Sequence, residues 1–459
     1  MPINSFDTYP MSWKPVLDRQ KRPLYQSLAK QLEEDIREGR LSPGTRLPPQ
    51  RELADFLDIN LSTVTKALRL CRLKGLLSSA TGSGTFVSYD ARTNWRLTMK
   101  TAPSAIDMGP TVPDDSADPI LTALLQDMLK ENGKSYFSYQ LEEDAPWQKD
   151  IAAGALLRCG YQASASEILL ANGGQTGLFA ILSTLFRQGD RIAANDHTYP
   201  GLKEAAALLG LVLVPVPEDD EGLSSEALDF LCRTEDIKGV YLIPTCHNPT
   251  TLTMSESRRR EIAHLSQKHD FLIIEDGTYQ LMRPGMTAVS QYAPDRGLYL
   301  ASLSKAIAPG LRMAYLSVPP AYYPRVSESL YSLSISVSPL LAELSARVLA
   351  GDQLKPILAR RSQILRRRDK ILASYVPSAQ LRGRHDDLFR WLLLPRPWTG
   401  ASFVAAASKR GLILYGAEKF AIGKTRPAPA VRLSLSRPKR DQDVEIAAKI
   451  IGNLLKERY

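Results

Sequence analysis

Within SLSKAIAPGLR, running from Ser302 to Arg312, stand the residues of greatest chemical consequence in this 459-residue chain. Lys305 follows the apolar run LYLAS, is flanked by Ser302 and Ser304, and precedes Pro309, Gly310 and Arg312. Burial lowers the pKa of a lysine toward the neutral amine that attacks a carbonyl carbon. An arginine offers paired donors to a phosphate, and a serine hydroxyl adds another. Together these types suit an aldehyde cofactor that carries a phosphate. Taken singly, Lys305 reads as one surface lysine more; its company changes that.

Asp276 ends the apolar run FLIIEDG, where a carboxylate can keep a pyridine nitrogen protonated and strengthen the ring as an electron sink. Tyr279, three residues on, and Asn248 in PTCHNPT can both bond a ring hydroxyl. NGGQTG after EILLA reads as a strand-to-helix turn whose amides, with Thr176, can cradle phosphate. Tyr199 in DHTYPG can stack on a ring face, and Arg432 in VRLSLS can clamp a substrate carboxylate. Each has an ordinary reading as a loop, cap or surface residue. Their joint occurrence in this order does not.

The elements that must position them follow from pattern. From about residue 117 onward, helical stretches alternate with short apolar runs such as RIAAN, LVLVPV, GVYLIP and LYLAS. That alternation predicts an α/β domain with a mostly parallel sheet over 117–459. Residues 89–116 lack periodicity and carry Pro, Asp and Ser, which reads as a linker. Residues 20–88 form a separate unit, and 1–19 an extension before it.

In that unit, Leu24, Leu28, Leu32 and Ile36 recur every four positions, a helix with one apolar stripe. RELADFLD predicts a second helix. Ser62 can cap a third, STVTKALRLCRLKG, with Val64, Leu68 and Leu73 inward and a basic opposite face. GLLSSATGSGTFV reads as two strands joined at a turn with Gly82 and Gly84. Helix, turn, basic helix and hairpin make a winged helix-turn-helix. A helix of this kind fits the major groove of DNA, with Ser62, Thr63 and Thr65 toward base edges and Lys66 toward phosphate.

Composition bounds the rest. Apolar residues make up 44% and charged residues 23%, so sizeable cores are available for a multi-domain α/β protein. The net charge of +9 points to an anionic partner. No apolar run is long enough to cross a membrane, and the first residues lack the pattern of a signal peptide, so a cytoplasmic protein is expected. Four scattered cysteines fit a reducing compartment without disulfides, and no metal site is expected. His264 and His269, five apart, do not share a helical face. The basic run KPILARRSQILRRRDK reads as the solvated face of a long helix, with Ile357, Leu358, Ile364 and Leu365 inward.

From Pro23 to Val87 the sequence resembles the GntR-type winged helix, through PGTRLPPQRELA, STVTKAL and the glycine-bearing wing. The resemblance implies that Arg46, Arg51, Ser62, Thr63, Thr65, Lys66 and Gly84 face operator DNA. Residues from roughly 107 to 456 resemble fold-type I aminotransferases near the aspartate and kynurenine branch, which bind pyridoxal 5'-phosphate. By that likeness Lys305 carries the internal aldimine, and Arg312, Ser302, Gln175 and Thr176 hold phosphate. Asp276 partners the pyridine nitrogen, Asn248 and Tyr279 the ring hydroxyl, Tyr199 the ring face and Arg432 a carboxylate. Tyr139 matches a tyrosine that reaches phosphate across a head-to-tail homodimer. The two halves in this order resemble the MocR regulators.

The pattern also departs from the aminotransferases. Thr251 follows NPT where a glycine is usual, QLEEDAPWQKD lacks the usual Gly and Arg, and RHDDLFRWLLL replaces a Gly-Gly before the strand. These changes touch the substrate mouth more than the cofactor bed. Three readings stay open: a regulator sensing a small amine or amino acid by aldimine exchange, a working aminotransferase with a DNA-binding appendage, and a dimer scaffold with a vestigial site.

Overall fold

The computed structural model describes residues 11–17, 23–37, 40–41, 44–74, 76–80, 84–87, 105–131, 136–139 and 146–457. In the amino-terminal part, α1 (Leu24–Arg37) buries Leu28, Leu32 and Ile36 against α3 (Leu61–Leu73), with α2 (Gln50–Leu57) packed on α3 as well. Val64, Ala67, Leu68 and Cys71 form the inward stripe of α3. The cap of α3 is Asn60, whose Oδ1 accepts from the Ser62 amide at 2.8 Å. Ser62 therefore stands in the first turn, because the extended backbone that a cap requires falls at Asn60, an equally good capping residue.

Strands β1 (Leu77–Ala80) and β2 (Gly84–Val87) pair antiparallel. The turn before α2 joins them as a third layer, with the Leu47 amide on Thr85 O at 2.8 Å and Arg46 bridged to Phe86. The wing turn with Gly82 and the side chain of Leu73 lie outside the described residues. Residues 11–17, read as part of an extension, pack on this core. Trp13 is buried, and its Nε1 donates to Asp35 at 2.7 Å.

The remaining strands, in chain order, are β3 (Ile106–Asp107), β4 (Ile168–Ala171), β5 (Arg191–Asn195), β6 (Val212–Val216), β7 (Glu218–Asp219), β8 (Gly222–Leu223), β9 (Ile237–Leu242), β10 (Leu272–Asp276), β11 (Gly297–Ser302), β12 (Ala314–Ser317), β13 (Leu381–Arg382), β14 (Phe389–Leu393), β15 (Leu412–Ile413), β16 (Tyr415–Gly416) and β17 (Ala430–Ser434). The large sheet runs β4-β12-β11-β10-β9-β5-β6, parallel except for β12. Its central strands are apolar on both faces because helices cover both, as parallel sheets require. Ile273 and Ile274 in β10, on opposite faces, are both buried, and each contributes roughly 1.5–3 kcal/mol. A smaller antiparallel sheet, β13-β14-β17-β16, shares the main apolar core with it. The mostly parallel α/β architecture is thus as read.

The linker reading needs revision over 105–116. Ile106 and Asp107 pair as β3 with β15, and Gly109 and Thr111 enter the site described below. Residues 88–104 lie outside the described residues. The basic run lies in the helix Leu354–Ala373, but its faces differ from the expectation: Arg361 and Arg368 are buried while Leu358 and Ile364 are only half-buried. Arginine can turn inward when carbonyls and carboxylates satisfy its donors, and both residues find them.

Candidate functional site

Carboxyl ends of parallel strands are where a doubly wound sheet leaves a crevice, and the site lies there. Just beyond β11, Lys305 sits in the turn of helix Leu303–Ala306. Its Nζ donates to the Thr111 carbonyl at 2.5 Å. Burial, then the charge of Arg432, pushes Lys305 down to about 8, with Asp276 opposing the shift and Arg312 adding to it. The lysine is thereby brought near the neutral form that carbonyl chemistry needs. From the far side Arg361 pins the same turn, donating to the carbonyls of Lys305 at 2.9 Å, Ala306 at 2.6 Å and Ile307 at 3.0 Å.

Asp276 ends β10. Tyr241 Oη donates to it at 2.8 Å and the Thr278 amide at 3.0 Å, while burial raises its pKa against those bonds. A cationic ring nitrogen is the partner such a buried carboxylate suits.

A cradle with the donors to hold a phosphate lies where β4 turns into the helix Gly174–Leu185. Gly173 caps it with φ +89°, and the first amides have no carbonyl a turn earlier within the helix. A β-carbon on Gly173 would fall 2.3 Å from the Arg312 guanidinium, which donates to Asn172 O at 3.2 Å. Ser302 lies beside Gly174. Backbone donors at a helix start, an arginine and a hydroxyl together fit a phosphate.

Tyr199 donates to Gln175 Oε1 at 3.1 Å, and Gln175 holds Gly201 O at 2.8 Å. Arg432 on β17 is buried, with its guanidinium among the rings of Phe420 at 4.8 Å, Phe389 at 5.3 Å and Tyr415 at 5.6 Å. It donates to Asn248 Oδ1 at 2.5 Å and Gly109 O at 2.8 Å. Burial pushes it down to about 10, and a carboxylate in the cavity would favour its charge.

Lys305, Asp276, Tyr279, Asn248, Tyr199, Gln175, Ser302, Arg312 and Arg432 all line one cavity of about 360 Å³. Thr176 does not line it; its hydroxyl turns back to Asn172 O at 3.1 Å within its own helix. Tyr139 is 75% exposed beside the exposed Phe137 and is not in the wall either. The reading of the residues missed Thr111, Tyr241, Thr278 and Arg361. Only Arg361 carried a signal, since it falls four positions after Ile357 and four before Leu365, on the buried stripe.

In the winged helix, Arg46, Arg51, Ser62, Thr65 and Lys66 are exposed and Thr63 is half-buried. Thr65 Oγ1 donates to Gln50 at 2.8 Å, tying α3 to α2. Gly84, at φ +118°, leaves room for Arg46, whose Nε would stand 2.9 Å from a β-carbon there. Among the described residues no helix is long and apolar enough to cross a membrane, and no group of His, Cys, Asp and Glu could hold a metal ion.

A winged helix followed by a fold-type I domain with this crevice defines a class: transcription regulators built on an aminotransferase fold. Residues 24–87 match the family model of bacterial regulatory proteins of the gntR family, and residues 112–395 that of aminotransferase class I and II. The chain belongs to this family of GntR-type, MocR-like regulators. It is 45% identical over 458 residues to the HTH-type transcriptional regulator YdeF of Bacillus subtilis, covering 99% of each chain. It is 26% identical to the "probable rhizopine catabolism regulatory protein MocR" of Rhizobium meliloti, covering 66% of this chain and 67% of that one. Among solved structures, an archaeal alanine:glyoxylate aminotransferase superposes with a TM-score of 0.71 at 22% identity, over 77% of this chain and 91% of the other. Pyrococcus horikoshii kynurenine aminotransferase gives 0.69 at 20%, over 77% and 91%.

Proposed function

We propose that this transcription regulator holds pyridoxal 5'-phosphate on Lys305 and senses a small amine or amino acid there while its winged helix binds operator DNA. The observation that carries the reading is the convergence on one cavity of a lysine pushed toward neutrality, a buried carboxylate, a helix-start phosphate cradle and a caged arginine. When bound, the cofactor supplies an aldehyde carbon over which an incoming primary amine competes with the lysine.

The chain's own residues then have separable roles. Gly173, Gly174, Gln175, Ser302 and Arg312 hold the phosphate; Asp276 keeps the ring nitrogen protonated; Asn248 and Tyr279 take the ring oxygen; Tyr199 covers a face. Arg432 receives the effector carboxylate, exchanging its bond to Gly109 O or Asn248 for a charged partner. Tyr139 acts across a head-to-tail homodimer, and Thr176 contributes its amide rather than its hydroxyl. Arg46, Arg51, Ser62, Thr63, Thr65, Lys66 and Gly84 meet DNA, within a unit of 20–88 that extends back to include Trp13. Effector binding shifts the balance between arrangements of the dimer and so of the winged helices, in the cytoplasm where the operator is.

A second reading, turnover as an aminotransferase, is favoured by the presence of Lys305, Asp276, Arg312 and Arg432 in one wall. The test is the visible spectrum of the purified protein before and after borohydride, beside Lys305→Ala. A yellow protein bleached by borohydride and a colourless variant support the proposal. A protein that stays colourless with added pyridoxal phosphate overturns it. Steady conversion of an amino acid and a keto acid would make the second reading the better one.

A further inference from the structure

One departure from the aminotransferase pattern, Thr251, lies against Gly383, the residue just before the other, which begins at Arg384 and turns through Asp387. Gly383 has φ +103°, and a β-carbon there would stand 3.0 Å from Thr251 Cγ2. The turn has little apolar surface with which to hold itself, and an arginine from the large sheet's side grips it. Arg283 Nη2 donates to Asp386 Oδ1 at 2.5 Å and Asp387 Oδ1 at 2.8 Å, and its Nε donates to Asp387 Oδ1 at 3.3 Å. Asp387 is buried and its second oxygen accepts from the Arg384 amide at 2.6 Å. The second oxygen of Asp386 takes Ser362 Oγ and Arg366, each at 3.1 Å.

The same two chain segments meet a second time, behind the wall of the site that Tyr279 and Arg432 line. Tyr279 lies four residues before Arg283, and Phe389 two residues after Asp387. Tyr279 and Phe389 pack edge to face at 5.7 Å, and the Arg432 guanidinium lies over Phe389 at 5.3 Å. An ion pair at one end of the segments and a ring pair at the other set β14 at one distance from the large sheet. Forked, charge-assisted bonds are directional enough to do this, whereas an apolar turn could slide.

We propose that Arg283, Asp386 and Asp387 form a clasp that positions Phe389 and, through it, Arg432, and so sets the affinity for an effector's carboxylate. They are positioning residues, and the proposal rests on reading the cavity as a cofactor and amine site. Its signature is a loss confined to carboxylate-bearing amines.

The experiment titrates the visible band of the full-length, cofactor-loaded protein with L-alanine and with ethylamine, which differ only by the carboxylate. In Asp387→Asn the apparent Kd for alanine should rise about tenfold while that for ethylamine stays within about twofold. Equal changes for both amines, or none for either, overturn the clasp. Should Asp387→Asn fail to retain the cofactor, Arg283→Lys, which keeps the charge and loses the fork, is read by the same ratio. A wild-type protein that responds to neither amine overturns the sensing reading and the clasp with it. A wild type that responds, with a ratio that does not move, overturns the clasp alone.

Discussion

The Arg312 guanidinium occupies the space in which a β-carbon on Gly173 would stand, 2.3 Å from its nearest nitrogen. The close approach lets an arginine and the first amides of a helix share one anion. Gly173→Ala forces the arginine aside, about 1.5–3 kcal/mol for a charged hydrogen bond, and strains a residue at φ +89° and ψ 163° by about 1–3 kcal/mol. Affinity for pyridoxal phosphate, read by titrating cofactor-free protein, should fall at least about tenfold. An affinity equal to wild type would count against the cradle.

Lys305 sits at about 8, below the roughly 10.4 of an exposed lysine. Because the folded value is the lower one, the cost of a charged lysine is full below about 8 and fades as pH rises toward the unfolded value. Fold stability therefore gains with pH across that window. Capture of added pyridoxal phosphate, followed by stopped-flow absorbance, should accelerate with pH with a midpoint at about 8 and level off above it. Arg432→Met removes a charge that pushes the lysine down, so it should move the midpoint upward. A midpoint near that of free lysine would contradict the burial argument.

Lys66 and Thr65 share the exposed face of α3 but should fail differently. With Lys66 on phosphate as proposed, Lys66→Ala should weaken binding to a mixed-sequence duplex and lower the slope of log affinity against log salt by about 1. Thr65→Ala should leave that slope unchanged and alter preference among sequences. Identical salt slopes for wild type and Lys66→Ala, by fluorescence anisotropy, would remove Lys66 from the interface.

Asp35 gathers Trp13 Nε1 at 2.7 Å, Gln31 Nε2 at 2.8 Å and Arg40 Nε at 2.8 Å. Trp13→Phe keeps most of the packing and removes one of these bonds, costing about 1–3 kcal/mol. Hydrogen exchange in the full-length protein should speed up over 11–17 and the end of α1, with the aminotransferase-like region unaffected. Unchanged exchange would mean that the segment is not held by this bond.

Much of the site was legible in the sequence. Lys305, Asp276 and Arg312 stand at the ends of apolar runs whose length and alternation already imply parallel strands, so their types and positions could be read together. Asn248, beyond the run GVYLIP, was legible in the same way and Arg432 by its type within VRLSLS, though their mutual bond was not. Thr176 was placed by its type, a hydroxyl at a phosphate turn, but a helical hydroxyl has a carbonyl four residues back and takes it.

What sequence by itself determined was the winged helix, the α/β alternation and the chemical kinds that come to line one cavity, because periodicity and side-chain type are properties of neighbouring residues. Tertiary structure alone decided that Thr111, in a stretch read as linker, meets Lys305, and that Arg361, in a run read as solvated, pins the Lys305 turn from 56 residues away. Both outcomes depend on whether a polar group, once buried, finds partners distant in the chain. Burial without partners is costly, so the fold decides which charged residues can turn inward.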